Sequence, residues 1–218
     1  CIIEVGLGGR LDATNIIPAP AVCGIASLGI DHEAFLLAPE DGVPAEAIER
    51  IAWEKTGIFK PGAAIATLAY SDSVMKLVRD RAAAVGGIVY AEGDDWSVEP
   101  IQYGFHWTSG SGAVAPTLRP RMAGTHQMRN AGLAIAMLRR APGAQPTDDD
   151  IAKGVAAAFW PGRMQRLGIG PLTNLLRDGT AIWLDGGHNP DAGAALAMAL
   201  ADQPPLHLVC GLLKNKDA

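Results

Sequence analysis

The sequence predicts a layered α/β fold, and three observations carry that reading. Apolar runs of strand length alternate with segments of helical apolar spacing, Gly and Pro punctuate the two, and 49% of the 218 residues are apolar, ample for a packed core. The chain opens CIIEVGLGGRLDATN, where residues 1–5 read as a strand with Glu4 near its carboxyl end. Residues 21–30, AVCGIASLGI, read as a buried strand that runs into Asp31 and His32. Residues 44–56 read as a helix: Pro44 suits the first turn, Ile48, Ile51 and Ala52 form an apolar stripe, and Gly57 stops it. A strand over 63–69, a helix over 71–85 closed by Gly86 and Gly87, and a strand over 88–91 follow. From 96 to 122 short alternating runs broken by Gly, Ser and Pro predict β-hairpins instead of βαβ units. Helical spacing returns at 126–140, and Thr147 with Asp150 marks a further helix start, a capping box with Asp in place of Glu. That helix ends before Trp160, Pro161 and Gly162, the predicted boundary between a first domain, 1–160, and a second, 161–218. The second is expected to open a fresh βαβ unit: a strand at 181–185, a helix at 190–201 and a strand at 206–212.

Composition excludes several functions. The net charge of -5 argues against a nucleic-acid or anionic-membrane binder, whose surfaces concentrate Lys and Arg. No apolar run approaches the roughly 20 residues of a membrane span, and the start lacks a signal peptide's basic region. Cys1, Cys23 and Cys210 are odd in number and never spaced as a metal or redox pair, which points to a reduced, cytoplasmic setting.

Ligands of open α/β sheets sit beyond the carboxyl ends of the strands, and three predicted strands end in polar residues: Glu4, then Asp31 and His32, then residues 185–188. A carboxylate and an imidazole at neighbouring strand ends can share a divalent cation, but a lone Asp-His pair equally caps a helix. GLGGR, residues 6–10, is Gly-rich yet has neither GxGxxG nor GxxxxGK[ST] spacing, so by itself it means a tight turn. Of the remaining histidines, His126 has a supporting place at the start of its helix. His106 in a hairpin and His207 at the start of a buried strand have no partners in the sequence.

Six motifs in order, EVGLGGRLDATN, SLGIDH, IAWEKTGIFKPG, HQMRNA, WPGRMQ and LDGGHNP, resemble the folylpolyglutamate synthase and dihydrofolate synthase family, ATP-dependent ligases related to the Mur ligases. The resemblance spans the chain from Glu4 to the GLLKNKD end. It implies a Mur-ligase-like fold: the later part of a central P-loop-type ATPase domain followed by the start of a Rossmann-like carboxyl-terminal domain. Members carry a Gly-rich phosphate loop upstream of EVGLGGR, so these 218 residues alone are expected not to ligate.

The resemblance also implies roles. Glu4 and His32 match magnesium ligands, and Leu11, Asp12 and Ala13 match a stretch that contacts the pterin; Asp12 also reads as a helix cap. Lys55 matches a lysine that is carbamylated and helps hold a second magnesium, which requires a neutral amine such as burial favours; without the resemblance it reads as a surface lysine. Asn130 matches an ATP contact, or satisfies a local backbone group. Arg163 matches an arginine reaching the nucleotide phosphates, or forms a hinge salt bridge. Asp185 and His188 match the DGAHNP motif on the nucleotide and glutamate sides. Lys214, Lys216 and Asp217 match a KDKD segment in part, with Asn215 where Asp is usual. Thr56 and Gly187 replace alanines, and the stretch from His32 to Lys55 is longer than the family pattern. ATP and magnesium are the implied cofactors, with potassium as a further ion; the implied substrates are dihydropteroate or a reduced folate and L-glutamate, and the intact protein is expected to be a monomer. Two alternatives stand beside this reading: another Mur-type amino-acid ligase, and an inactive fragment that only binds ligand.

Overall fold

The structure is a computed structural model that describes all residues but 111, 178, 202, 204 and 213–218, and the side chains of 112–117 are likewise left aside. Its centre is a parallel sheet in the order β1 (Cys23–Ile25), β2 (Ala64–Thr67), β3 (Ile88–Ala91), with Cys23 opposite Ile65 and Ala64 opposite Ile88. Successive side chains of a strand point to opposite faces, so β2 serves two cores. Ile65 packs with Cys23 of β1 and with Ala52, Phe59, Val74, Val78 and Ala82, which belong to helices α2 (Ala47–Thr56) and α3 (Asp72–Ala84) or their flanks. Ala66 on the other face packs with Leu133, Ile135 and Ala136 of α4 (Thr125–Arg140).

A second, antiparallel sheet lies against α4. Strands β4 (Trp96–Ile101), β5 (Gly104–Ser109) and β6 (Gly112–Leu118) form a meander with a register shift between Phe105 and Trp107. Trp96 and Trp107 stack with centroids 6.4 Å apart, and the Trp107 indole donates to the carbonyl of Gly132 in α4 at 3.1 Å. A side chain at Gly132 would run into Val98 and Trp96, so that glycine sets how closely α4 and the meander approach. Helix α5 (Asp148–Ala157) closes this layer through Ile151, and its amino end carries the predicted capping box: Thr147 Oγ1 accepts from the Asp150 amide at 3.1 Å while Asp150 Oδ2 accepts from the Thr147 amide at 3.0 Å.

Several expectations are corrected. Residues 1–5 lie in no ladder, and Ile2 is 99% exposed; an apolar run becomes a strand only where a partner strand meets its backbone groups. The strand expected over 21–30 narrows to Cys23–Ile25. At this end Ile25 O still accepts from the Leu68 amide at 3.4 Å, but the Tyr70 hydroxyl lies 2.7 Å from both Ile25 O and Ala26 O, and the ladder stops there. No parallel βαβ unit forms after the WPG step among the described residues. The two-residue strand β8 (Trp183–Leu184) pairs antiparallel with β7 (Gln165–Arg166), α6 (Pro190–Leu200) follows, and 206–212 is exposed coil, with Val209 96% and Leu208 86% accessible. His207 is therefore exposed, not the head of a buried strand.

Phe105, between the meander and α4, is the largest fully buried side chain of that core. Phe105→Ala should cost about 3–5 kcal/mol of unfolding free energy in urea titrations, whereas Phe35→Ala, at a largely exposed position of the short helix α1 (Glu33–Leu36), should stay within about 0.5 kcal/mol.

Candidate active site

The Gly-rich segment is built against the end of α2. The last carbonyls of a helix lack partners within it, and here Arg10 donates its amide to Glu54 O at 2.8 Å while Asn15 Nδ2 donates to Gly57 O at 3.1 Å. Gly9, at φ 158°, lies so close to the carbonyls of Glu54 and Lys55 that a Cβ would sit 2.9 and 3.0 Å from them. Gly8, at φ 64°, is in the left-handed region that favours glycine, with Leu36 packed over it. GLGGR is thus a tight turn, and what it hugs is the backbone of Lys55.

Asp12 closes the same turn. Its Oδ2 accepts from the amides of Gly6 and Leu7 at 3.1 and 3.0 Å, and its Oδ1 accepts from the amide and hydroxyl of Thr14 at 2.9 and 2.6 Å. It is the N-cap of a 3-10 turn, Ala13–Ile16, which is the capping role the sequence allowed. Four donors on one carboxylate, led by the Thr14 hydroxyl, lower its pKa from 3.8 to about 2. Leu11 beside it is 80% exposed, and Ala13 is exposed too. Lys55, in the last turn of α2, is half-buried, and that burial lowers its pKa and favours the neutral amine.

A second group gathers on Asp31, which sequence reasoning named as a strand-end residue without assigning it a part in the site. Its Oδ1 accepts from the His32 amide at 2.7 Å, while its Oδ2 lies 3.5 Å from His188 Nε2, 3.3 Å from the donating Asn189 Nδ2 and 4.0 Å from His32 Nε2. The DH and GGHN motifs, 158 positions apart between Asp31 and Asn189, therefore meet on one carboxylate. Asn189 also caps α6, accepting from the Ala192 amide at 2.9 Å, and the Asp191 carboxylate of α6 lies against Gly29. His188 is held from its other side, Nδ1 2.9 Å from Gly186 O.

A third group joins the WPGR turn to the helix α4. Asp185 accepts from the amides of Met164 and Gly187, each at 2.7 Å, and Gly186 donates to Gly162 O at 2.7 Å. His126 feels two of the predicted site residues: burial lowers its pKa, the Asp185 charge raises it and Arg163 lowers it, with a net fall. Asn130 lies one turn along α4 from His126, on the same face, exposed and donating to Gln127 Oε1 at 3.4 Å. His126 thus lies near Arg163 and Asp185, and Asn130 stands one turn along the same helix. Among the described residues, His32 at φ 55° and Met164 at φ 43° are the non-glycine positions with positive φ, and each adjoins a predicted site residue or is one.

Not every expectation finds a neighbour. Glu4 is exposed in a stretch without regular structure, and among the described residues no three His, Cys, Asp or Glu side chains are arranged to hold a metal ion. Magnesium commonly takes one or two protein carboxylates and draws its other ligands from water and substrate phosphates; the Glu4 and Asp31 carboxylates are donors of that type, and His32 offers an imidazole nitrogen. Lys214, Asn215, Lys216 and Asp217 lie outside the described residues. A shallow trough of about 480 Å³ opens past the carboxyl ends of β2 and β3, lined by Tyr70, Asp72, Lys76, Arg79, Asp94 and Glu92 among others; none of the predicted site residues lines it.

With this geometry in view, comparison with known proteins identifies the relatives. The chain is 32% identical over 224 residues to a probable bifunctional folylpolyglutamate synthase/dihydropteroate synthase of Halobacterium salinarum, covering 99% of this chain and 25% of that protein. It is 32% identical over 220 residues to the human mitochondrial folylpolyglutamate synthase, covering 89% of this chain and 32% of that one. This chain belongs to the folylpolyglutamate synthase/dihydrofolate synthase family. No protein-family model matches it. Its fold is that family's Mur-ligase-like α/β fold. It superposes on an FPGS–AMPPCP–folate complex at TM-score 0.77 and 28% identity over 93% of this chain and 47% of that one. On E. coli FolC in complex with DHPP and ADP the values are 0.74, 27%, 94% and 43%. The chain spans between a quarter and half of the length of these relatives.

The donor set around Asp12 generates a pH prediction. A carboxyl whose folded pKa lies below its unfolded value stabilises the fold above the unfolded pKa and loses that contribution as pH falls through the folded one. The stability gap between the chain and its Asp12→Asn variant should therefore be full above about pH 4 and shrink toward pH 2, as read by chemical denaturation across that range, with the Asp12 carboxyl resonance titrating at about 2.

Proposed function

We propose that the protein of which this chain is part joins L-glutamate to dihydropteroate or a reduced folate at the expense of ATP. The observation that carries the reading is the meeting of the DH strand end and the GGHN loop on Asp31, in a chain related along nearly its whole length to proteins of that kind. The related structures with AMPPCP and folate, and with DHPP and ADP, support ATP and a pterin-bearing carboxylate as substrates. In this reading the substrate carboxylate oxygen attacks the γ-phosphorus of ATP, the bond to the β–γ bridging oxygen breaks, and ADP leaves. The amine of glutamate then attacks the acyl carbon, a tetrahedral intermediate collapses with loss of phosphate, and the nitrogen gives up a proton. Such chemistry rests on positioning and charge neutralisation and asks for no protein nucleophile.

The roles follow from chemistry. Leu11, Asp12 and Ala13 border the pterin. Asp12 does so through the turn it holds, since Thr14, Gly6 and Leu7 already occupy its oxygens. Asn130, Arg163 and Asp185 face the nucleotide: the Arg163 guanidinium presents a planar fork to phosphate oxygens, and Asp185 holds the WPGR turn through the Met164 amide. His188, kept by Gly186 O and Asp31, stands on the glutamate side. Glu4 and His32 would hold magnesium, and Lys55 as a carbamate would help hold a second ion. Bound magnesium supplies neutralisation of phosphate charge, with potassium as a further ion. The 161–218 segment is read as the start of a second domain, and the intact protein as a cytoplasmic monomer. No helix among the described residues is long and apolar enough to cross a membrane.

The test is product formation by the intact full-length protein: ADP release that requires both a folate or dihydropteroate and glutamate, with the glutamylated product identified by mass spectrometry. Turnover with nucleotide-linked muramoyl substrates instead would overturn the folate assignment. Arg163→Ala in the same protein should lower kcat about a hundredfold. Because Arg163 is exposed, unfolding free energy should stay within about 0.5 kcal/mol of wild type. Near-normal turnover would leave Arg163 as a hinge residue only.

A further inference from the structure

The buried charges of α2 have no part in the roles assigned above. Arg50 and Glu54, one helical turn apart, are each 5% exposed, and their side chains approach to 3.5 Å. Charges removed from water weigh against folding unless their geometry is good, and an apolar pair of the same size would serve stability as well. What distinguishes this pair is what it grips. Arg10, from the Gly-rich turn, forks onto Glu54 with Nε 3.2 Å from Oε2 and Nη2 2.9 Å from Oε1, and its guanidinium lies 4.4 Å from the centre of the Trp53 ring. Glu40, from the segment that makes the stretch between His32 and Lys55 long, adds a second carboxylate: its Oε2 is 2.7 Å from Arg10 Nη2 and 2.9 Å from Arg50 Nη2. Arg50 Nε in turn donates to Leu36 O at 3.2 Å, and Leu36 packs over Gly8.

We propose that Arg10 is a positioning residue for Lys55, and that Glu40 is the contact by which the intervening segment keeps it in place. The proposal rests on the role given to Lys55 above. Arg10 joins the Gly-rich turn to α2 twice, through its backbone amide to Glu54 O at 2.8 Å and through its side chain to the Glu54 carboxylate. The residue following that doubly held position is Lys55. Gly9 approaches its carbonyl as well as that of Glu54. The turn and the lysine therefore move as one body. Glu54 is buried and Glu40 is 40% exposed at its side chain, so the inner carboxylate is the permanent half of the clamp and the outer one the half that salt and substitution reach first.

The variants are Arg10→Met, Arg10→Lys and Glu40→Gln in the intact full-length protein, read by steady-state kinetics, thermal melts and amide hydrogen exchange at residues 8–10 and 54–57. Arg10→Met should lower kcat on the order of ten- to a hundredfold with KM for ATP within about threefold, and should speed exchange at those amides. Arg10→Lys should regain part of the turnover, because one ammonium reaches one carboxylate but not both. Glu40→Gln, at an exposed position that leaves the core untouched, should lower kcat about three- to tenfold and loosen residues 8–10 alone. Turnover of Arg10→Met within about twofold of wild type, or unchanged exchange at residues 8–10, would overturn the proposal. If Arg10→Met does not fold, Glu40→Gln decides: wild-type turnover with wild-type exchange overturns it. A wild-type protein without folate-dependent ADP release would sink the functional reading instead, and the exchange results would still judge whether Arg10 holds residues 54–57.

Discussion

The last carbonyls of α2 lie beyond the helix's regular ladder; Gly57 and the residues after it turn back onto them, and the Gly-rich turn adds further donors from outside the helix. Arg10 donates its amide to Glu54 O, Asn15 its side-chain amide to Gly57 O, and the close approach needed for both is open only to residues without a side chain at 8 and 9. Gly57 meets the same constraint from the helix side, where a Cβ would collide with Arg10. Once this contact is made, Asp12 can close the turn, Leu36 can seat on Gly8, and Lys55 is left half-buried at a fixed point. A chemical requirement of the backbone thereby sets the place of a side chain whose chemistry depends on being partly out of water.

The rest of the molecule holds that contact against a scaffold. β2 is short, yet its alternating side chains serve two cores, so α2 and α3 on one face and α4 on the other are referred to the same strand. α4 is in turn the shared wall of the parallel sheet and the meander, with Gly132 and Trp107 fixing the distance. His126 and Asn130 stand at the start of this helix, so their positions follow from two sheets at once.

Charge placement differs across the three groups of side chains. Around Asp12 the donors are neutral backbone and hydroxyl groups, and the carboxylate stays ionised over a wide pH range. Around Glu54 they are guanidiniums, which bind by geometry as much as by charge. Around Asp31 they are the His32 backbone amide and the Asn189 side-chain amide, with the His188 and His32 imidazoles beside them.

Much of this was legible in the sequence. The helices at Asp72–Ala84 and Thr125–Arg140, the strand Ile88–Ala91, the hairpins after Trp96 and the Thr147–Asp150 cap follow from apolar period, turn residues and side chains that bond within a few positions, all local properties. So does the capping role of Asp12. The motifs by themselves marked the chain's family, since their order along the sequence requires no knowledge of the fold. Tertiary structure alone decided the rest. Residues 1–5 and 206–212 are apolar enough for strands, but a strand is a property of a pair, and neither run has a ladder partner among the described residues. Asp31 read as one more polar strand end because its partners His188 and Asn189 lie more than 150 positions away. Nothing in the sequence pairs Arg10, Glu40, Arg50 and Glu54; only the packing of the Gly-rich turn and the residues before α2 onto that helix brings them together, with Arg50 and Glu54 buried. Local pattern set which segments could be helices, turns and caps, and non-local burial set which charges meet, because desolvation and pairing depend on neighbours that sequence order does not name.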